Sequence, residues 1–178
     1  MTLLIVTGPP GAGKTTLARE LAGRFERSVL VEGDAFFGFL ANGAIQPWLP
    51  GSDDQNIVVV KAAAAATGKF ASGGFETVFD GVIGPWFVSD FVEATGLTQA
   101  DYVILLPTID ICLDRVASRR DHMFSDAPAT RQMHEAFRCA DVEPRHMVVD
   151  PTEDPEVLAD EVLSGVREGR FSFRRQGA

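Results

Sequence analysis

The chain has 178 residues, 46% hydrophobic and 23% charged, with 16 basic against 25 acidic side chains and a net charge of -9. That length and balance suit one domain with a real core, and the acidic surface repels a phosphate backbone, which argues against a nucleic-acid partner. No apolar run approaches the roughly 18 residues of a membrane span, and Leu3–Val6 is too short and lacks the basic flank of a secretory leader.

The first predicted element is a strand over Leu3–Thr7. Four more short apolar runs follow, at Ser28–Val31, Thr77–Phe79, Tyr102–Leu106 and His146–Val149. Most are continuous rather than alternating, the pattern of strands covered on both faces of a parallel sheet. Between the first two, Thr15–Arg24 places Leu17 and Leu21 four apart on one helical face. A segment of about 35–52 then interrupts the alternation with Phe36, Phe37, Phe39 and Trp48 among prolines and glycines. An aromatic-rich insertion at the carboxyl end of a strand lies where open α/β sheets bind ligands, so it is either an acceptor-binding wall or packing beneath a loop. Ser52-Asp53-Asp54-Gln55 reads as a capping box opening a helix to about Ala71, which Gly73-Gly74 ends.

A further helix begins after Thr108 and carries Leu113 and Val116. The last has Asp154 as N-cap, Pro155 at the first helical position, and Leu158, Val162 and Val166 as its buried stripe. Phe171–Arg175 reads as a solvated, Arg-rich terminus. Cys112 and Cys139 lack metal-ligand spacing and read as reduced, buried helical thiols of a cytoplasmic protein. The alternation predicts an α/β fold, a doubly wound parallel sheet of five strands with helices on both faces, in a single domain over 1–178.

Between the first strand and first helix, Gly8-Pro9-Pro10-Gly11-Ala12-Gly13-Lys14-Thr15 fits G-x-x-x-x-G-K-[ST], a P-loop. Glycines let the backbone turn its N–H groups inward on phosphate oxygens, and the following helix offers them its positive end. Lys14 supplies a mobile charge to the β- and γ-phosphates, and the Thr15 hydroxyl is a magnesium ligand. Gly8, Gly11, Ala12, Gly13, Lys14, Thr15 and Thr16 are therefore the expected nucleotide-binding residues, for ATP or GTP with Mg2+.

Two aspartates stand at predicted strand ends, Asp34 after the second and Asp80 at the end of the third. In a parallel sheet both lie at the P-loop edge, where one can take a proton from an attacking hydroxyl and the other can hold magnesium or the acceptor. Glu32 is not counted among the expected site residues. The expected acceptor-binding set is Asp34, Phe36, Phe37, Trp48, Asp80 and Trp86. After the fourth strand, Arg115, Arg119 and Arg120 cluster with His122, with Arg115 and Arg119 on one helical face. Phosphoryl transfer needs positive charge over the equatorial oxygens, so Arg119 and Arg120 are candidate catalytic residues beside Lys14 and Asp34, and Arg115 a nucleotide contact.

With these motifs together, the chain resembles the small-molecule kinases of the P-loop superfamily, the gluconate-kinase-like and chloramphenicol-phosphotransferase-like proteins, with shikimate kinase further off. Val31-Glu32-Gly33-Asp34 is similar to their acidic turn after the second strand, which implies a contact from Asp34 to acceptor or magnesium, and a base there by resemblance to the chloramphenicol enzymes. Phe79-Asp80-Gly81-Val82-Ile83-Gly84 resembles their third-strand acceptor motif. Arg119-Arg120-Asp121-His122-Met123-Phe124 resembles the gluconate-kinase lid, implying a lid over about 115–135. Val149-Asp150-Pro151-Thr152 is similar to the loop bordering the nucleotide base.

The resemblance implies a cytoplasmic, monomeric or homodimeric phosphotransferase acting on a hydroxyl of a small molecule, without nucleic acid or membrane. The aromatic insertion departs from a polar sugar-acid site and favours an antibiotic or nucleoside-like acceptor, as in resistance enzymes. A nucleoside, nucleotide or sugar-acid metabolite kinase and a non-catalytic nucleotide-binding module are the alternatives. A remodelling ATPase needs a strand ending Asp-Glu, whereas glycine follows Asp80, and a GTPase needs Asn-Lys-x-Asp, which the chain lacks.

Overall fold

All five residues of β1 (Leu3–Thr7) are buried, because this strand has neighbours on both edges and cover on both faces. It comes from a computed structural model that describes residues 3–118, 126–149 and 154–175. The succeeding elements are α1 (Lys14–Gly23), β2 (Ser28–Glu32), α2 (Gly33–Phe37), α3 (Asp53–Ser72), β3 (Glu76–Asp80) and α4 (Val88–Thr95). Then come β4 (Gln99–Leu105), α5 (Ile109–Ser118), α6 (Ala127–Cys139), β5 (Met147–Val148), α7 (Pro155–Arg167) and β6 (Ser172–Arg174).

The strands run β2-β3-β1-β4-β5, all pairs parallel, as the continuous apolar runs predict. Alternation along β1 and β4 splits the core into two layers. Leu3, Ile5, Tyr102 and Ile104 face one side, with Phe91 of α4 and Phe137 of α6. Leu4, Val6, Val103 and Leu105 face the other, with Leu17 and Leu21 of α1 and Leu158 and Val162 of α7. The predicted cap of α7 is present, the Asp154 carboxylate accepting from Glu156 N–H at 2.9 Å. Among the described residues no helix is long and apolar enough to cross a membrane.

Several expectations are corrected. The segment Phe171–Arg175 is not a solvated tail. It supplies β6, antiparallel to β4, so the sheet has six strands among the described residues. Phe171 is fully buried, and burying such a ring contributes about 2 to 3 kcal/mol, enough to hold a short terminal strand.

The capping box does not form either. Ser52 sits in the αR region and makes no side-chain cap; its hydroxyl donates to Pro47 O at 2.9 Å. Gln55 binds both backbone groups of Ile45, at 2.8 and 2.7 Å. The loop's unpaired backbone thus outcompetes the helix end for these side chains.

Cys112 is buried, but Cys139 is exposed at the end of α6, bonded to Glu135. Helix α4 was not foreseen, although Val88, Phe91, Val92 and Thr95 form its buried stripe and Gly96 closes it.

His146 is buried between β4 and the C-terminal strand. Its Nδ1–H donates to Tyr102 O at 2.9 Å, and its ring packs near Tyr102 and Phe173. Burial is the main cause that lowers its pKa below 6.5; the Tyr102 bond opposes that shift, and neighbouring Arg145 adds to it. Below 6.5 the unfolded chain therefore holds the extra proton, so stability is complete above that pH and declines as pH falls. Denaturant titrations should show wild type losing up to about 1.4 kcal/mol per pH unit in this window, and His146→Gln losing less.

Candidate active site

The turn from β1 into α1 is backbone pressed against backbone. Gly8, Gly11 and Gly13 all have positive φ, at 146°, 81° and 98°. A Cβ on Gly11 would stand 2.3 Å from the carbonyl oxygen of Cys112 in α5, so only glycine admits this approach. The contact sets the loop against α5 and brings Arg115 over it. The Arg115 guanidinium donates to the Gly11 and Ala12 carbonyls, both at 3.4 Å. Lys14 Nζ donates to Pro9 O at 3.1 Å, which places its charge across the loop.

Asp80 ends β3 in register with Val6 of β1 and Glu32 of β2. Its carboxyl is only 7% exposed and hydrogen-bonds the Thr15 hydroxyl. Burial pushes this carboxyl above the ordinary carboxylate range; Thr15 and Lys14 pull it back, while Asp34 and Glu32 push it further up. Asp34 lies in α2, one strand over, and is exposed. Glu32 points elsewhere, into a surface ion pair with Arg19 at 3.0 Å.

The structure therefore brings together Lys14, Thr15, Asp80, Asp34 and Arg115, from the ends of β1, β2 and β3 and from α5. Beside the loop is a cavity of about 360 Å³, lined by Gly13, Thr16, Arg115, Ser118, Pro155 and Leu158 among others. It lies between α5 and the start of α7. Arg119, Arg120 and His122 lie outside the described residues, as does the Asp150–Thr152 stretch. Of the expected lid, residues 115–118 end α5 and 127–135 belong to α6.

The aromatic candidates divide. Phe36 packs against the core beside the sheet, as a residue packed beneath a loop does. Phe37 and Trp48 are half-buried, and Phe39 is 74% exposed with its ring edge-on to Phe36. Trp86 is 56% exposed and tilts on Phe137 at 5.4 Å.

Two further residues position the loop after β3. The Thr7 hydroxyl accepts from Ile83 N–H at 2.8 Å, and the Tyr102 hydroxyl donates to Ile83 O at 2.7 Å. Together they pin the loop that follows Asp80. A buried threonine ending an otherwise aliphatic strand was the available signal.

Residues 4–142 match the AAA_18 family, described as an AAA domain, a span of more than half the chain. The chain belongs to this family. Among solved structures it is similar to a sugar kinase from Janibacter sp. HTCC2649, at 21% identity and TM-score 0.75, over 93% of this chain and 94% of that one. It is also similar to the tunicamycin resistance protein of Deinococcus radiodurans, at 15% identity, TM-score 0.65, and 92% and 94% coverage. A third similar structure is a gluconokinase from Sinorhizobium meliloti 1021, at 17%, TM-score 0.62, and 93% and 91%. No curated protein matches the sequence. At these identities the likeness establishes the fold, that of the P-loop small-molecule kinases.

Gly11→Ala tests the loop packing. Strain of about 1 to 3 kcal/mol at this position should displace the loop amides. Binding of a fluorescent ATP or GTP analogue should weaken about 10-fold or more, with a fall of several degrees in melting temperature.

Proposed function

We propose that this protein transfers the γ-phosphoryl group of ATP or GTP to a hydroxyl of a small molecule. The observation that carries the reading is the pair of unlike aspartates at one P-loop. Asp80 is buried against Thr15 and Lys14, whereas Asp34 is exposed beside it. A module that only binds nucleotide needs the first; the second has no evident task there without an acceptor.

The donor set fits a magnesium ion. The Thr15 hydroxyl and the Asp80 carboxyl are hard oxygen ligands, and an anion held this deep gains most from a nearby cation. When bound, magnesium neutralises charge on the β- and γ-phosphate oxygens. This assignment moves Asp80 from the acceptor wall toward the metal.

The loop amides and Lys14 hold the phosphates, and Arg115 braces the loop. Asp34 orients the acceptor hydroxyl and takes its proton as the new oxygen–phosphorus bond forms. The bond from phosphorus to the β–γ bridging oxygen breaks, and the nucleoside diphosphate leaves. Because the transition state is loose, proton removal is late and positioning by Asp34 counts as much as basicity. Arg119 or Arg120 supplies the further positive charge over the transferring group.

The half-buried and exposed aromatics of the 35–52 segment favour an antibiotic or nucleoside-like acceptor over a sugar acid. A panel of nucleosides, antibiotics and sugar acids, incubated with each nucleotide and read by mass spectrometry for added phosphate, identifies the acceptor.

With that acceptor, Lys14→Ala should lower turnover about 1000-fold, since charge on the β- and γ-phosphates is lost. Near-normal turnover in this variant overturns the phosphotransferase reading.

Asp34→Asn and Asp80→Asn should separate. The first should lower kcat about 100-fold with little change in nucleotide affinity. The second should weaken magnesium-dependent nucleotide binding and recover in part at high magnesium. The reverse pattern would exchange the two roles.

A further inference from the structure

We propose that Trp86 is a stacking platform that selects uncharged acceptors bearing a planar ring, either a nucleobase or an aryl group. The inference rests on the phosphotransferase reading and narrows its acceptor.

Trp86 is exposed, yet it is fixed. Its indole covers Gly84 so closely that a Cβ there would stand 2.2 Å from the ring. Its edge tilts on Phe137, which is fully buried in α6. The preceding loop is held on both sides of Ile83 by Thr7 and Tyr102. Helix α6 is held in turn, His134 Nε2–H donating to Pro107 O at 2.8 Å, just past β4.

These attachments fix the site of the ring. Trp86 stands six residues after Asp80, the last residue of β3, and its support is anchored beyond β4. Strands β3 and β4 flank β1, the strand that ends in the P-loop. The indole therefore lies at the sheet edge that carries the phosphate loop, on the side of the layer that holds Phe137 and Ile83. A rigid, half-open aromatic face loses little entropy when a flat ring stacks on it.

Charge points to the same acceptor. Residues 33–60 and 76–114 contain no Lys or Arg, although they supply α2, the 38–52 loop, Asp80, Trp86 and α4. The ionisable groups nearest the phosphate side of these segments are Asp34 and Asp80. A carboxylate acceptor would meet two carboxyls and no cation from these segments, whereas a neutral ring meets the exposed indole of Trp86.

The test is binding, so it does not depend on turnover. Indole emission is titrated with uridine, adenosine and 2-phenylethanol as planar probes, and with gluconate and shikimate as carboxylate probes. Magnesium and a non-hydrolysable ATP or GTP analogue are present. At least one planar probe should quench saturably, and its affinity, read by calorimetry in wild type and in the variants that lack this indole, should fall about 10-fold or more in Trp86→Leu. Trp86→Phe should retain most of the affinity, which separates stacking from collapse of the Phe137 contact. The nucleoside and phenyl arms distinguish the two ring sources.

No quenching by any planar probe at millimolar concentration overturns the platform. So does gluconate or shikimate binding that Trp86→Leu leaves unchanged. Either result leaves the kinase reading standing if γ-phosphate still reaches some acceptor and Lys14→Ala abolishes that transfer.

Discussion

The site depends on one steric fact: the loop after β1 passes α5 with no room for a side chain. Gly11 meets the Cys112 carbonyl at a distance only bare backbone tolerates, and Gly8 approaches Leu105 O in the same way. Because β4 runs directly into α5, this contact ties the phosphate loop to the next strand of the sheet. Arg115, one turn beyond Cys112, is thereby delivered onto the loop carbonyls. Lys14 and Thr15 start α1 at a fixed place relative to β3.

From that placement follows the electrostatics. Asp80 is carried by a strand hydrogen-bonded to β1, so its carboxyl arrives beside Thr15 with little freedom and little water. Burial raises its pKa, and the Thr15 hydroxyl and Lys14 ammonium only partly offset the cost. Asp34 belongs to the next strand out, followed by a five-residue helix, and keeps contact with solvent. Two identical side chains thus acquire different chemistry from a displacement of one strand. Glu32, two residues before Asp34, is taken out of the site altogether by Arg19.

The side proposed to take the acceptor is built on different terms. No regular element spans residues 38–52; the segment is tied down by Ser52, Gln55 and Asn56 binding its backbone. Those bonds fix the aromatic loop against the start of α3 at the expense of the helix cap. On the opposite flank, Thr7 and Tyr102 clasp Ile83, so that the loop after Asp80 has a defined path although it is neither helix nor strand. Both flanks are held by side chains reaching across the chain rather than by local structure.

What the sequence determined by itself is what short-range physics encodes. The spacing of Gly8, Gly11, Gly13, Lys14 and Thr15 specifies a phosphate loop; continuous apolar runs specify buried parallel strands; Asp154-Pro155 specifies a helix start. Each depends on hydrogen bonds and periodicities within a few residues. Only the tertiary structure decided the rest. Ser52 and Gln55 fit a capping box, but the nearby unpaired carbonyl of Pro47 and the backbone of Ile45 took them. Arg-rich Phe171–Arg175 looked solvated until β4 offered an open edge and the core a place for Phe171. Asp34 and Asp80 could not be ranked from spacing, because their difference lies in burial and neighbours up to 66 residues away, such as Lys14 for Asp80. Pairings at such separations leave no periodic trace in a single chain, since the partner's position is set by the sheet order and not by the sequence between them.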